Sequence, residues 1–278
     1  MKDIVILYHT ECPDGFGGAW SAHKKFGDSA DYIGVHHEAP PPEGLEGREI
    51  YMVDFTYPVG VIEDLIMKNK RVTAIDHHAG MEEAIKLTKD YSYDNSHSGS
   101  VLAWKYFSQE PPPKILEYVE DRDLYRFSLP DSRAICAVID SFDYNFNAWD
   151  ELAESFNDVA TRKSFIEKGN IIVKYEEELI KKTIEENAKL VEFEGYKIYS
   201  VNAPHEFASD IGSILCKKNP PMAIIWREDR DRVSVSLRSD GTIDVSKIAS
   251  KFGGGGHKAS AGFRLPALKS LPWKEIKL

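Results

Sequence analysis

Short β-branched runs alternate with helix-period segments over the first third of the chain, and this alternation constrains the fold more than any other feature. Ile4–Tyr8 (IVILY) reads as a strand and Gly15–Phe26 as a helix. Tyr32–Val35 and Ile50–Phe55 read as strands separated by the turn-rich APPPEGLEG. Pro58–Asn69 sets Val61, Ile62, Leu65 and Ile66 at helical spacing, and Val72–Asp76 is a further strand. Strands alternating with helices predict a largely parallel sheet with helices on its faces. Ligands of such sheets sit at the carboxyl ends of the strands.

From Gly99 the pattern turns helical: SVLAWKYF, then PKILEYVEDRDLY after a run of prolines, then further helical stretches ending in the charged KYEEELIKKTIEENAKL. Trp104, Tyr106 and Phe107 are spaced for helix packing and are expected in the core. Strand-like runs return as YKIYSV, MAIIW and RVSVSLR, and the last motif is KFGGGGHKASAGF. No internal repeat is visible. The expected fold class is α/β: a parallel-sheet domain over residues 1–165, a helical linker over 166–191, and a smaller α/β domain over 192–278 that closes over a cleft.

Charge is unevenly distributed. Residues 191–278 hold 14 Lys+Arg against 10 Asp+Glu, a net of +4, so that residues 1–190 carry −14 of the chain's net −10. An acidic first part disfavours long duplex DNA, whose phosphates must meet Lys and Arg. Cys12, Cys136 and Cys216 are an odd number at wide spacing. They argue against a disulfide framework and for a reducing, cytoplasmic setting. No apolar run approaches the ~20 residues that span a bilayer, and the apolar stretch before His9 is too short for a secretory signal. No membrane association is therefore expected.

Three of the strands end in acid or imidazole. Ile4–Tyr8 runs into His9 and then Asp14, Ile50–Val53 ends at Asp54, and Val72–Ile75 ends at Asp76-His77-His78. A single strand-end Asp is usually a cap or turn residue. Three at the ends of consecutive strand–helix units of a parallel sheet would line one edge, and their oxygen and nitrogen donors suit Mn²⁺ or a similar divalent ion. The stretch GFGGAW at 15–20 is near a dinucleotide fingerprint, but Trp20 stands where the third Gly belongs, and it reads as a helix start behind Asp14.

These residues resemble the DHH phosphoesterase superfamily. IDHH with its preceding strand, VDF one unit earlier and an N-terminal H…DG look like its DHH domain, and GGGGHKASAGF looks like the glycine-rich motif of the DHH-associated C-terminal domain. The resemblance runs in the expected order over residues 4–264. It implies that His9, Asp14, Asp54 and His77 are metal ligands, with Asp54 bridging two ions. It further implies that Asp76 orients the His77 imidazole and that His78 faces the phosphate, and it places Asp76 and His78 in catalytic roles. A later ligand Asp is expected from EDRDLYRF, which offers Asp121 and Asp123; Asp121 is favoured. Cys12 departs from the family's usual D-x-D, and a thiolate is a softer ligand than a carboxylate. One metal position is therefore expected to be weakened.

In the C-terminal motif, glycines allow close backbone approach, and successive N–H groups can form an anion nest. Gly254, Gly255, Gly256 and His257 are thus candidate substrate contacts, and Arg238, closing the strand RVSVSLRS, can pair with phosphate in bidentate fashion. The implied activity is metal-dependent hydrolysis of phosphoesters in short single-stranded oligoribonucleotides or dinucleotides, as in the exonucleases of the family. Exopolyphosphatase or nucleotide phosphomonoesterase activity are alternatives, as is a metal-impaired regulator that only binds nucleotides. The oligomeric state stays open, a homodimer included.

Overall fold

In the computed structural model, residues 2–36, 39–229, 232–266 and 271–276 are described. The chain divides into two compact units, Met1–Val173 and Lys174–Leu278.

The first unit is built on five strands: β1 (Ile4–His9), β2 (Ala30–Val35), β3 (Glu49–Val53), β4 (Arg71–Asp76) and β5 (Asp90–Tyr93). Their order is β2-β1-β3-β4-β5, and every neighbouring pair is parallel. The helices between them are α1 (Pro13–Phe26), α2 (Val59–Lys68) and α3 (Glu82–Leu87), and α4 (Gly99–Phe107) follows β5. After these come α5 (Lys114–Asp123), α6 (Ser132–Ile139), α7 (Phe146–Ser155) and the long α8 (Val159–Asn187), which runs across the division between the units.

A parallel sheet buried on both faces needs apolar residues at successive positions rather than at alternate ones, and IVILY and IYMV supply them. Val5, Leu7, Ile50 and Met52 pack with Ile62 of α2 and Ile85 of α3. The intervening Ile6, Tyr51 and Val53 pack on the opposite face with Ala22 of α1 and Leu102 of α4. A separate cluster ties α1 to α5, α6 and α7 through Phe16, Trp20, Leu116, Ile135 and Trp149. Trp104 stacks on Trp20 at 5.5 Å, which agrees with its expected packing role.

Strand β1 is flanked by β2 on one side and β3 on the other. The chain leaving β1 enters α1 on one face, and the chain leaving β3 enters α2 on the other. This is a topological switch point, where a crevice opens beyond the strand ends. The unit's functional candidates sit there.

The second unit carries β6 (Lys189–Phe193), β7 (Tyr196–Asn202), α9 (Ala208–Lys218), β8 (Met222–Asp229), β9 (Arg232–Ser239), α10 (Val245–Ser250), β10 (Gly255–His257), β11 (Ser260–Pro266) and β12 (Lys274–Glu275). The strands form one sheet in the order β10-β11-β9-β8-β7-β6-β12. Only β7 and β8 run parallel; the other pairs are antiparallel. Glu194 and Gly195, both at positive φ, turn the β6–β7 hairpin, as a two-residue hairpin turn requires. α9 packs on one face through Ile211 and Leu215 against Val201, Ala223 and Ile225. α10 packs on the other through Val245 and Ile248 against Ile224, Val235 and Leu237. No helix among the described residues is long and apolar enough to cross a membrane.

Candidate active site

His9 is the last residue of β1, Asp54 follows β3 directly, and Asp76 is the last residue of β4. Because these strands are parallel neighbours, the three ends share one edge of the sheet. Asp54 has φ 61°, a left-handed conformation that Asp tolerates better than most residues. This turns the chain out of the sheet while its N–H still bonds Ile75 O at 2.9 Å.

Asp54 is the hub. Its Oδ2 lies 3.3 Å from His9 Nδ1 and its Oδ1 lies 3.3 Å from His77 Nε2. His77 Nε2 is also 3.5 Å from Asp123 Oδ2. Potential ligand atoms of Asp14, His77 and Asp123 lie within 4.8 Å of one another, as do those of His9, Cys12 and Asp54, and those of Asp54, His77 and His78. The strand ends thus form one continuous donor cluster, with Asp54 and His77 in its middle.

Helix α4 closes the cluster from the side. Ser98 caps it by accepting from Val101 N–H at 3.4 Å. The N–H groups of Gly99 and Ser100 donate to Asp14 Oδ2 and Oδ1 at 2.7 and 3.1 Å. A helix N-terminus stabilises such a carboxylate. The approach needs glycine at 99, since a Cβ there would lie 2.6 Å from Asp54 Cβ. Gly15 plays the same part for α1, where a Cβ would lie 2.0 Å from His9 O.

The electrostatics fit a cation. Burial and the neighbouring charges of Asp54 and Asp123 push the Asp14 carboxyl well above the usual range. Burial and Asp54 raise Asp123 to about 6. Burial would raise Asp54 too, but hydrogen bonds with His77 and His9 outweigh it and hold the carboxyl low. Burial disfavours a charged His77, yet Asp54 and Asp123 raise it to about 10. Burial, followed by the charges of Asp54, Asp14 and Asp123, pushes the Cys12 thiol up. Three crowded carboxylates beside two imidazoles make a donor set of mixed oxygen and nitrogen atoms, which suits a divalent ion of the Mn²⁺ class.

Two placements differ from the sequence reading. Asp121 is not in the cluster. Its Oδ1 accepts from Ser128 N–H at 2.9 Å and Ser128 Oγ at 2.7 Å, and its Oδ2 from Leu129 N–H at 3.1 Å. It anchors the turn after α5, and Asp123, two residues on and so on another face of the helix, reaches His77 instead. Asp76 also differs. It accepts from Thr56 Oγ1 at 2.7 Å and from the backbone N–H of His77 at 2.7 Å, and the ring it holds, at 2.7 Å, belongs to His78. Burial disfavours a charged His78, but Asp76 outweighs it and raises the imidazole to about 8. Thr56 went unnoticed in the sequence because nothing local marks a threonine as partner to a residue twenty positions away.

In the second unit, Arg238 lies in β9 against α9. Its Nε and Nη2 reach Ser209 Oγ at 3.4 and 3.3 Å. A Cβ at Gly212 would lie 2.4 Å from Arg238 Cγ. The glycine motif is not the open nest that its composition suggests. Gly253 and Gly254 donate to Ser250 O and Ala249 O at 3.1 and 3.0 Å and so close the turn after α10. Gly255, Gly256 and His257 form the edge strand β10, exposed and paired with Gly262, Ala261 and Ser260.

Residues 199–273 match the family model for the DHHA1 domain. These residues carry a DHHA1 domain. The resemblance carried by GGGGHKASAGF is thereby borne out. Uncharacterized protein R106 of Acanthamoeba polyphaga mimivirus is 28% identical over 299 residues, covering 98% of this chain and 70% of that protein. An exopolyphosphatase-related protein from Bacteroides fragilis shares the fold, with a TM-score of 0.50 and 15% identity over 97% of this chain and 88% of that one. A pGpG-specific phosphodiesterase, PggH, from Vibrio cholerae aligns over 96% of this chain and 94% of that one at a TM-score of 0.49 and 14% identity.

Proposed function

We propose that this chain is a metal-dependent phosphoesterase of the DHH type acting on short oligoribonucleotides or dinucleotides. One observation carries the reading. Asp54 faces both His9 and His77 at 3.3 Å at the switch point of a parallel sheet, with Asp14 and Asp123 grouped around His77.

His9, Asp14, Asp54, His77 and Asp123 would hold the ions, with Cys12 beside His9 and Asp54. A divalent ion there would acidify bound water and offset the negative charge of the phosphoryl group. Asp76 fixes the tautomer and orientation of His78 through Nδ1, a positioning role, so that Nε2 is the nitrogen through which His78 would meet a phosphoryl oxygen. In the metal-free site Asp76 raises the His78 imidazole to about 8, and beside the ions His78 would stabilise the anion or pass a proton to the leaving oxygen. Thr56, bonded to the second oxygen of Asp76, keeps that carboxylate from turning away. Arg238, with Gly254, Gly255, Gly256 and His257, would hold a phosphate or terminal nucleotide of the substrate.

Turnover with Mn²⁺ of a dinucleotide, a short single-stranded RNA, a 3′-phosphonucleotide and polyphosphate tests the reading. Hydrolysis of the first two above the others is expected. Preference for polyphosphate or the monoester would reassign the substrate, and no turnover of any would leave a nucleotide-binding protein.

A further inference from the structure

Strand alternation sorts the DHHA1 sheet into two unlike faces. Val233, Val235 and Leu237 of β9, with Ile224 and Phe263 beside them, make the apolar face under α10. The intervening residues of β9 are Arg232, Ser234, Ser236 and Arg238, none of them buried. One end of this second face is covered by α9, over Ala223 and Ile225.

Cross-strand register gathers cations on the rest of it. Ser234 pairs with Arg227 of β8 on one side and with Arg264 of β11 on the other. Paired residues point to the same side of a sheet, and neighbouring strands are about 4.8 Å apart. Arg227 and Arg264 therefore flank Ser234, and Arg232 lies two residues before it on the same strand. Asp229 is the one acid on this face among the described positions of β8, β9, β11 and β10. It accepts from Ser234 Oγ at 2.6 Å and pairs with Arg227 Nε at 3.0 Å. Arg227, Arg232 and Arg264 thus share this region of the face with Asp229.

Arg238 stands four residues from Ser234 on the same face, about 13 Å away at the rise of a β-strand. Ser236 and Gly262, paired with each other, form the floor between the two cationic rows. That floor must stay low, because a Cβ at Gly262 would lie 2.9 Å from Val235 O. A stacked nucleic-acid strand covers such a gap in about four steps of roughly 3.4 Å, and an extended strand in fewer.

We propose that Arg227, Arg232 and Arg264 form a second anion subsite on the DHHA1 sheet, which takes an internal phosphate of a single-stranded oligonucleotide whose other phosphate lies at Arg238. The proposal rests on the phosphoesterase reading for the identity of the ligand. It makes substrates longer than a dinucleotide the better-bound class.

The test is binding of fluorescein-labelled phosphorothioate oligoribonucleotides of two and six nucleotides, which resist turnover, to the full chain with Mn²⁺ at several salt concentrations. The unmodified chain should bind the hexamer more tightly than the dimer. The variant Arg232→Gln/Arg264→Gln changes two exposed side chains and should lose about tenfold or more in hexamer affinity. Its salt slope should fall by about 0.7 per lost phosphate contact, with dimer affinity unchanged and the chain still folded. Arg264→Lys should keep the slope. Equal loss for dimer and hexamer, or no loss for either, overturns the subsite. Tighter binding of polyphosphate than of the hexamer, lost in the same variant, overturns its assignment to nucleic acid. Length-dependent binding without hydrolysis of any unmodified substrate would instead sink only the phosphoesterase reading.

Discussion

Replacing Asp54 by Asn removes the one carboxylate that faces both imidazoles while keeping its shape. In the metal-free protein, His77 is raised to about 10 and so is cationic at neutral pH. At 3.3 Å its attraction to Asp54 amounts to about 5 kcal/mol at an effective dielectric of ~20, before desolvation is subtracted. Deleting one partner of a buried pair costs about 3–5 kcal/mol. The substitution also relieves Asp14 and Asp123, both of which Asp54 pushes up, and this returns part of the loss. The metal-free variant should therefore stay folded, with a melting temperature lower by roughly 2–10 °C. Metal binding has no such compensation. Losing even an outer partner of a metal ligand costs about 10–100-fold in affinity, so loss of the hub itself should exceed ~100-fold and abolish turnover. Calorimetric titration with Mn²⁺, thermal melting and turnover of a dinucleotide on the same preparation measure the three quantities. Near-native metal affinity and turnover would refute the placement of Asp54 at the centre of a metal site.

The two aspartates of EDRDLYRF should separate cleanly. Asp123→Asn should lower metal affinity and turnover with little change in stability, whereas Asp121→Asn should cost stability, by about 1–3 kcal/mol through its hydrogen bonds to Ser128 and Leu129, and leave metal content intact; the reverse pattern would return the ligand role to Asp121. Mn²⁺ affinity should rise with pH between about 7 and 10, by up to tenfold per unit, because His77 must give up a proton that it holds to about 10 in the empty site. Calorimetry in two buffers of different ionisation enthalpy counts the proton released, and a pH-independent affinity contradicts this. Cys12→Asp should strengthen the weaker of two Mn²⁺ binding steps, since a hard ion prefers an anionic oxygen; two tight, equal steps in the unmodified chain would count against a weakened position.

Much of the site is legible in the sequence because a parallel sheet converts strand ends into neighbours. His9, Asp54 and Asp76-His77 could be placed on one edge from periodicity alone, before any side chain is positioned. What the pattern does not carry is the choice between close alternatives that only packing decides. Asp121 and Asp123 are equally acidic and two residues apart, and it is the turn at Ser128–Leu129 that claims the first. Asp76 sits before two histidines, and its ring partner depends on how the backbone bends after β4. The glycine motif reads as a loop because glycine is depleted in strands, yet Gly255–His257 is held as an edge strand by β11. β5, with the polar sequence DYSY, and β6, at the end of a strongly helical stretch, lack the apolar signal of a strand and are defined by their neighbours.

The most direct measurement is a stepwise Mn²⁺ titration of metal-stripped protein in which bound metal and hydrolysis of a dinucleotide are followed together. Hydrolysis should be absent in the stripped protein, appear as the His9–Asp54–His77 cluster fills, and reach its plateau with metal occupancy. Turnover that persists in the stripped protein, or full occupancy without hydrolysis of any phosphoester, would contradict the account.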